Sequence, residues 1–160
     1  MSEKSDKIDK IDAKIVSLLS EDGRMSCADI SRRIGDVSER TVRYRIKRLI
    51  DGGIIRILPV VNPASLGYVV IADVFIEVEP AFIQEVAHKL ASIECVTYVA
   101  FSIGERDVSI QIAARTNSDV YEFVTGTVAK LPGVRKTTTS IVPHVLKDLY
   151  TWPVPVEAIR

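Results

Sequence analysis

The hydrophobic residues of this 160-residue chain change their spacing near the middle, and this change constrains the fold more than any other feature. As far as Gly53, apolar residues recur every three or four positions, which is typical of amphipathic helices. From Val70 onward they alternate with polar residues in several short runs, which is typical of strands. The sequence therefore predicts a helical part followed by a part that contains a sheet.

Capping residues mark two helices near the N-terminus. Asp9 is placed to cap the first, and Gly23 stands where the chain must stop and turn. Ser26, with Asp29 three residues later, resembles a capping box that opens a short second helix ending at Gly35. These signals predict two short helices, each with one buried apolar side.

A third helix is predicted to begin after Ser38 and to end at Gly52-Gly53. Its apolar stripe consists of Val42, Ile46, Leu49 and Ile50. The opposite side carries Arg40, Thr41, Tyr44, Lys47 and Arg48, with Arg43 and Arg45 on its flanks. We expect such a cationic face to gain little from salt bridges within the helix.

The second and third helices, with a turn at Gly35 between them, follow helix-turn-helix order. In that motif the N-terminal residues of the second helix reach base edges, and arginine forks suit guanine edges and phosphates. Residues 32–56 carry a net charge of +5, although the whole chain is neutral. The alternative is a solvated basic face on a small bundle. The candidate DNA-binding residues are Ser38, Glu39, Arg40, Thr41, Arg43, Tyr44, Arg45, Lys47 and Arg48.

The second part of the chain follows the order β-α-β-β-α-β, which predicts a ferredoxin-like sheet with two helices on one face. Strands are expected over residues 70–78, 95–103, 108–114 and 134–142. One helix is expected from Pro80, and Asn117 or Ser118 is expected to cap the other. The preceding segment, residues 54–61, is β-rich but interrupted by Pro59, so we expect an edge strand or an extended linker.

One face of this sheet has no helix to cover it. Ile71, Phe75, Val99 and Phe101 cannot all lie under the helices. Some apolar surface therefore needs another subunit, and we expect self-association as a dimer or a higher oligomer.

Composition excludes several classes of protein. Zero net charge excludes a uniformly basic coat protein for nucleic acid. No apolar run approaches the ~20 residues of a membrane helix, and the polar N-terminus has no signal core behind it, so we expect a cytoplasmic protein without membrane contact. Two cysteines that lie far apart and only two histidines lead us to expect no catalytic residue, metal site or cofactor.

Several stretches of the sequence resemble the Lrp/AsnC (feast/famine) regulators. Residues 8–19 (IDKIDAKIVSLL), 21–26 (EDGRMS), 37–49 (VSERTVRYRIKRL) and 53–55 (GII) resemble the DNA-binding domain of that family. The Gly104-x-x-Asp107 turn and the sequence Leu131-Pro-Gly-Val134 are similar to its effector-binding and oligomerisation domain. The resemblance extends over roughly residues 8–148.

This resemblance implies an α+β protein with an N-terminal winged-type helix-turn-helix domain and a C-terminal ferredoxin-like βαββαβ domain. The expected divisions are a DNA-binding domain over residues 1–53, a strand or linker over 54–67, an effector-binding and oligomerisation domain over 68–148 and a tail over 149–160. The resemblance further implies a homo-oligomer that binds double-stranded operator DNA and senses an amino acid or a related small metabolite.

Two departures from the family pattern affect these expectations. Asp36 is an extra residue in the turn before the third helix and is expected to alter how that helix is presented. The Gly-Glu-Arg-Asp turn replaces the commoner Gly-Asp-x-Asp, so Arg106 is expected to change which effector fits. The candidate effector residues are Gly104, Arg106, Asp107 and Thr137. In the structural alternative, Gly104 supplies a positive φ, Asp107 caps the turn and Thr137 is a good strand former.

Three function classes are consistent with the sequence. A sequence-specific transcriptional regulator is supported by both parts of the chain. A ligand-binding module whose helical part only contacts proteins would show no salt-dependent DNA binding. A sirohaem decarboxylase-like enzyme, similar in build to this family, would need histidines and basic residues in a tetrapyrrole cleft. With only His88 and His144 available, the enzyme ranks lowest.

Overall fold

The structure is a computed structural model that describes residues 8–102, 104, 106–148, 150 and 152–159. The chain divides into two compact units. The first runs to Val60 and also includes the chain from Lys147 onward, and the second spans Val61–Leu146. The C-terminal tail therefore belongs to the helical unit and not to the unit that contains the sheet.

The first unit contains the three predicted helices, which are α1 (Lys10–Glu21), α2 (Cys27–Ile34) and α3 (Glu39–Asp51). Local side-chain hydrogen bonds start each of them where the sequence predicts. Asp9 Oδ1 accepts from the backbone N–H groups of Ile11 and Asp12. Ser26 and Ser38 cap α2 and α3 in the same way, through the N–H groups of Asp29 and Thr41.

The three helices enclose a small apolar core. Its fully buried residues are Ile15, Ile30, Val42 and Leu49. Ile50, which the sequence assigns to the buried stripe of α3, is instead 42% exposed. Ile50 is the last residue of the stripe and lies one residue before the end of α3 at Asp51. The tail packs against the same core through Val154 and pairs Ile159 with Ile8 in an isolated bridge.

The segment after α3 is an extended linker. Residues 54–62 form no strand in the described part of the chain, so the edge strand and the wing of a winged-type domain are absent there. A strand requires a partner strand, and Pro59 lacks the N–H group needed to pair. Ile57, Leu58 and Val60 consequently have exposed side chains.

The second unit is a four-stranded sheet with the strand order β2-β3-β1-β4, and every pair of neighbours is antiparallel. This is the predicted ferredoxin-like arrangement. In chain order the elements are β1 (Val70–Val78), α4 (Ile83–Ala91), β2 (Val96–Phe101), β3 (Val108–Ala114), α5 (Asn117–Gly126) and β4 (Val134–Val142).

The core of this unit lies between the sheet and the two helices. Alternate residues of β1, from Ala72 to Val78, are buried against α4 and α5, as predicted. The cap of α5 is Thr116 and not Asn117 or Ser118. Thr116 and Asp119 form a reciprocal capping box in which each side chain accepts the other's backbone N–H group, and this pair fixes the start of the helix. Strand β2 ends at Phe101, whereas the predicted end, Ile103, lies outside the described residues.

A bulge in β2 decides which of its apolar residues lie on the uncovered face of the sheet. The register shifts between Val96 and Tyr98, which moves every later side chain of β2 to the other face. Val99 is then opposite Ile110, and Phe101 is opposite Val108, so both lie on the core side of the sheet. Val99 packs against the core, whereas Phe101 remains 56% exposed at the end of the strand. The open face retains the half-buried Ile71 and Phe75, and the exposed Tyr98 lies there opposite Gln111. The four apolar residues named from the sequence are therefore not all under the helices, as predicted.

Candidate functional site

The outer face of α3 is exposed and cationic. Arg40, Tyr44 and Lys47 follow one another at intervals of four and three residues, which places them on one side of the helix. Tyr44 is 67% exposed, and Arg40 makes no ion pair with any residue that the structure describes. Val42 and Leu49 anchor the other side of α3 in the core. A rigid helix thus presents an available guanidinium group to solvent.

The first turn of α3 is ordered by its own side chains. Ser38 Oγ accepts from the backbone N–H of Thr41 at 3.2 Å and lies 2.8 Å from the Thr41 hydroxyl. Each hydroxyl retains spare hydrogen-bonding capacity in this arrangement. Both groups stand at the positive end of the helix dipole, where an anion such as a phosphate is favoured.

Two of the cations on α3 are paired within the helix, which corrects the expectation of few such salt bridges. Arg43 binds Glu39, and Lys47 binds Asp51 at 2.5 Å, both at a spacing of four residues. All four side chains are largely exposed, so each pair adds little to stability. Such pairs can therefore exchange their carboxylate for a phosphate at small cost.

The other two arginines of α3, Arg45 and Arg48, face the start of α1. Asp12, which is completely buried, accepts from Arg45 Nη1 at 2.9 Å and from Arg48 Nη2. Asp9 accepts from the same Arg45 nitrogen at 2.6 Å. Arg45 therefore does not belong to the exposed cationic face, and Arg48 is anchored at its edge. We name Asp9, Asp12, Arg45 and Arg48 the carboxylate–arginine cluster.

Hydrogen bonds stabilise the ionised forms of Asp9 and Arg45 in the carboxylate–arginine cluster. Partial desolvation acts to raise the pKa of Asp9, but hydrogen bonds from Arg45 and from the Asp12 backbone outweigh it, so the pKa lies below its usual value. The hydrogen bond to Asp9 raises the already high pKa of Arg45. Both shifts favour the ion pair between Asp9 and Arg45.

Sequence reasoning missed this cluster, although a signal for it exists. Asp9 and Asp12 are three residues apart at the start of α1, and Arg45 and Arg48 are three apart on α3. Each pair lies on one face of its helix. Two matched pairs of opposite charge are compatible with a helix–helix contact, which only the tertiary structure identifies.

The extra residue before α3, Asp36, is accommodated in a tight turn. The Val37 N–H donates to the Gly35 carbonyl, which closes a three-residue turn around Asp36. The Ser31 hydroxyl donates to the Val37 carbonyl at 2.5 Å, and Gly35 has a φ of 97°. Val37 remains buried, so the connection to α3 stays anchored.

The predicted effector turn is partly structural. The Asp107 carboxylate accepts from the Val78 N–H at 2.7 Å, and the Asp107 N–H donates to the Ile76 carbonyl at 3.0 Å. Asp107 therefore ties the turn to the end of β1. Gly104 has a φ of 140°, which is consistent with its structural alternative, while Glu105 lies outside the described residues.

Arg106 and Thr137 lie on different sides of the sheet. The Arg106 guanidinium stacks over the Phe75 ring, 4.2 Å from its centre, on the open face. Thr137 is opposite Ile76, whose side chain is buried under the helices. The four candidate effector residues are therefore not brought to one surface. Near Arg106 on the open face, Gln111 donates to Asp73 Oδ1 at 2.9 Å, and Lys136 pairs with Glu77 at 3.0 Å.

Within the described ranges, no group of three or more His, Cys, Asp or Glu side chains is placed to hold a metal ion. Burial raises the pKa of the Cys95 thiol, which opposes a role as a nucleophile. None of the described helices combines the length and apolar character that crossing a membrane requires.

Comparison with known proteins matches both units to family models. An AsnC-type helix-turn-helix domain matches residues 8–50, and an Lrp/AsnC ligand-binding domain matches residues 71–152. The first match includes all of α1 and α2 and nearly all of α3. The second covers the sheet except for its first residue, Val70, and most of the chain that follows it.

Individual relatives match along nearly their full lengths. An uncharacterized HTH-type transcriptional regulator of Pyrococcus abyssi is 40% identical, with 88% of this chain and 89% of the relative covered. The HTH-type transcriptional regulator LrpA of Pyrococcus horikoshii is 33% identical, with 88% and 99% covered. A solved structure, a transcriptional regulator from Neisseria meningitidis in complex with L-Met, is 26% identical and superimposes with a TM-score of 0.83. That match covers 91% of this chain and 96% of the other.

Proposed function

Because this chain belongs to the Lrp/AsnC family of transcriptional regulators, we propose that it binds operator DNA through the outer face of α3 and responds to a bound amino acid. The observation that carries the proposal of DNA binding is the exposed face of Arg40, Tyr44 and Lys47. On this face Arg40 has no ion-pair partner in the described part of the chain. A free arginine fork near the N-terminal end of a recognition helix is suited to a guanine edge.

We assign different roles to the residues around this face. Arg40 reads a base edge, and Tyr44 packs beside it in the groove. Lys47 and Arg43 bind phosphates, for which they leave Asp51 and Glu39. Ser38 and Thr41 bring hydroxyls, together with the dipole of the helix N-terminus, to the backbone of the DNA. Glu39 holds Arg43 only in the absence of DNA, whereas Arg45 and Arg48 are excluded from the DNA-binding set.

DNA binding by one recognition helix covers a single half-site, so the functional species is a dimer. We propose that the open face of the sheet, with Ile71 and Phe75, provides the contact between subunits. A two-fold axis then requires a roughly palindromic operator whose half-sites are about 10 base pairs apart or a multiple of that. As a regulator of transcription, the protein acts where the DNA lies, which we take to be the cytoplasm.

The proposed effector is an amino acid or a related small metabolite. The Neisseria meningitidis relative is a complex with L-Met, which supports this ligand class. In the present chain Arg106 stacks on Phe75 at the open face, next to Asp107, which is tied to the end of β1. A ligand at this position would change how subunits associate, and through that change it would alter operator affinity.

A titration of labelled DNA tests the proposed function. The probe is a duplex from the region upstream of the protein's own coding sequence, compared with a scrambled duplex at about 50 to 300 mM salt. We expect salt-dependent binding to both and tighter binding to the upstream duplex. Arg135→Ala, which removes an exposed arginine on β4, serves as the charge-matched control and should bind as the wild type does. Absence of binding would leave only the ligand-binding module.

A further inference from the structure

Asp12 is the one fully buried charged side chain in the part of the chain that the structure describes. Both of its oxygens are satisfied. Oδ1 accepts from Arg45, while Oδ2 accepts from Arg48 and from the backbone N–H of Asp9 at 3.1 Å. A buried carboxylate with complete pairing is held rigidly, because losing any partner would leave an uncompensated charge. The start of α1 is therefore fastened to the C-terminal half of α3.

The two arginines of the carboxylate–arginine cluster differ in how firmly they are held. The Arg45 side chain is only 18% exposed and is bound by both Asp9 and Asp12. The Arg48 side chain is 47% exposed and has Asp12 as its one carboxylate partner among the described residues. Removing the charge of Asp12 would therefore free Arg48 far more readily than Arg45.

Arg48 follows Tyr44 by one helical turn, so it borders the face that we assign to DNA. A long cationic side chain in that position, if released, reaches the phosphates of any duplex. Phosphate contacts raise affinity for all DNA and carry no sequence information directly. A free Arg48 would therefore strengthen binding to DNA of any sequence without favouring the operator over other sequences.

We propose that Asp12 is a positioning residue that restrains Arg48 and thereby sets the specificity of α3 for its operator. This inference rests on the proposed DNA-binding function. The buried carboxylate withholds one guanidinium from the phosphates, so binding depends more heavily on the base contact of Arg40. Asp12 acts through Arg48 and does not contact the DNA itself.

The test measures the salt dependence of binding to operator and scrambled duplexes. Asp12→Asn retains the shape of the side chain but removes the charge that holds Arg48. We expect the slope of log affinity against log salt to steepen by about 0.9, the contribution of one phosphate contact. Affinity for the scrambled duplex should rise about threefold to tenfold at low salt, with a smaller gain for the operator. A folded Asp12→Asn protein with the wild-type slope and specificity would overturn the proposal.

Two further variants show whether the effect passes through Arg48. Asp12→Asn combined with Arg48→Gln should return the slope to the wild-type value. Arg48→Gln alone should leave the slope unchanged, because the wild-type protein already withholds this arginine. If Arg48→Gln alone lowered the slope by about 0.9, Arg48 would contact a phosphate in the wild type and the proposal would be wrong. This arm does not depend on whether Asp12→Asn folds.

Asp119→Asn is the structural control. Asp119 occupies the same third position of a helix as Asp12, within the capping box of α5, and the described residues give it no arginine partner. We expect a lower Tm with an unchanged salt slope.

Wild-type protein that showed no salt-dependent binding would overturn the proposed function together with this inference. Wild-type binding combined with an unchanged slope in Asp12→Asn would overturn the inference alone.

Discussion

Arg40 and Lys47 lie on the same face of α3, yet we expect their removal to have different effects. Arg40→Ala should cost about 1–3 kcal/mol of operator affinity and relax specificity at one base pair, because its unpaired fork reads a base edge. Lys47→Ala should weaken binding to all sequences alike and reduce the salt slope by about 1. Titration of operator duplexes with single base changes separates the two roles. Unchanged operator affinity in both variants would contradict the assignment of α3.

The Asp9 carboxyl predicts a specific dependence of stability on pH. Its pKa in the folded protein lies below the ordinary value of 3.8, so the unfolded chain binds the proton more readily. The stabilisation is complete above the unfolded pKa and is lost as pH falls through the folded pKa. Asp9→Asn retains a good N-cap but cannot titrate. Chemical denaturation from about pH 7 to about pH 2 should show a smaller loss of stability below about pH 4 in this variant. Because Asp9 is half-exposed, the difference should be small.

At the level of secondary-structure elements, the sequence predicted the helix starts, because these depend on contacts between residues that are close in the chain. Asp9, Ser26 and Ser38 cap their helices through hydrogen bonds to residues two or three positions later. Such bonds depend on only a few neighbouring residues and can therefore be predicted from the sequence. The β2 bulge was not predicted, because it depends on how that strand meets β3. The contact between Asp12 and Arg45 joins residues 33 positions apart and was missed for the same reason.

The connection between α5 and β4 provides a test at this scale. Gly133 has a φ of 80°, and a Cβ atom there would lie 2.5 Å from Phe82 Cβ. Gly133→Ala therefore combines backbone strain with a steric clash and should lower the free energy of unfolding by about 1–3 kcal/mol. Gly126→Ala is the matched control, since Gly126 is helical and a Cβ atom added there would meet no atom within 4 Å. It should be neutral or stabilising by up to about 1 kcal/mol in urea denaturation. Equal destabilisation of both variants would contradict the argument.

At the scale of the whole molecule, the open face of the sheet connects the fold to the proposed dimer. Ile71 lies there opposite Ala113 and Val142, an apolar patch without a covering helix. Ile71→Glu would bury an unpaired charge at the subunit contact and should weaken self-association by about 2–5 kcal/mol. Tyr121→Glu, at an exposed position on α5, should leave association unchanged. Sedimentation at micromolar concentration tests this, and an unaltered Ile71→Glu dimer would place the interface elsewhere.

The identity of the effector also belongs to this scale, because a ligand at the open face would act through the assembly. Arg106 introduces a cation beside the turn over residues 104–107, which favours a ligand with a side-chain carboxylate. We therefore expect aspartate or glutamate to raise the Tm more than leucine or isoleucine does at equal concentration.

Two variants make this last prediction specific. Arg106→Gln removes the cation and should abolish the preference for acidic amino acids without abolishing the fold. Asp107→Asn retains an oxygen that can accept from the Val78 N–H but loses the negative charge, so binding of the ligand's ammonium group should weaken while the turn persists. A calorimetric panel of the common amino acids on all three proteins measures both effects. Tighter binding of leucine or isoleucine would refute the charge argument. Full affinity in Asp107→Asn would place the effector away from this turn, because an ammonium group held by the Asp107 carboxylate cannot keep that ion pair once the charge is removed.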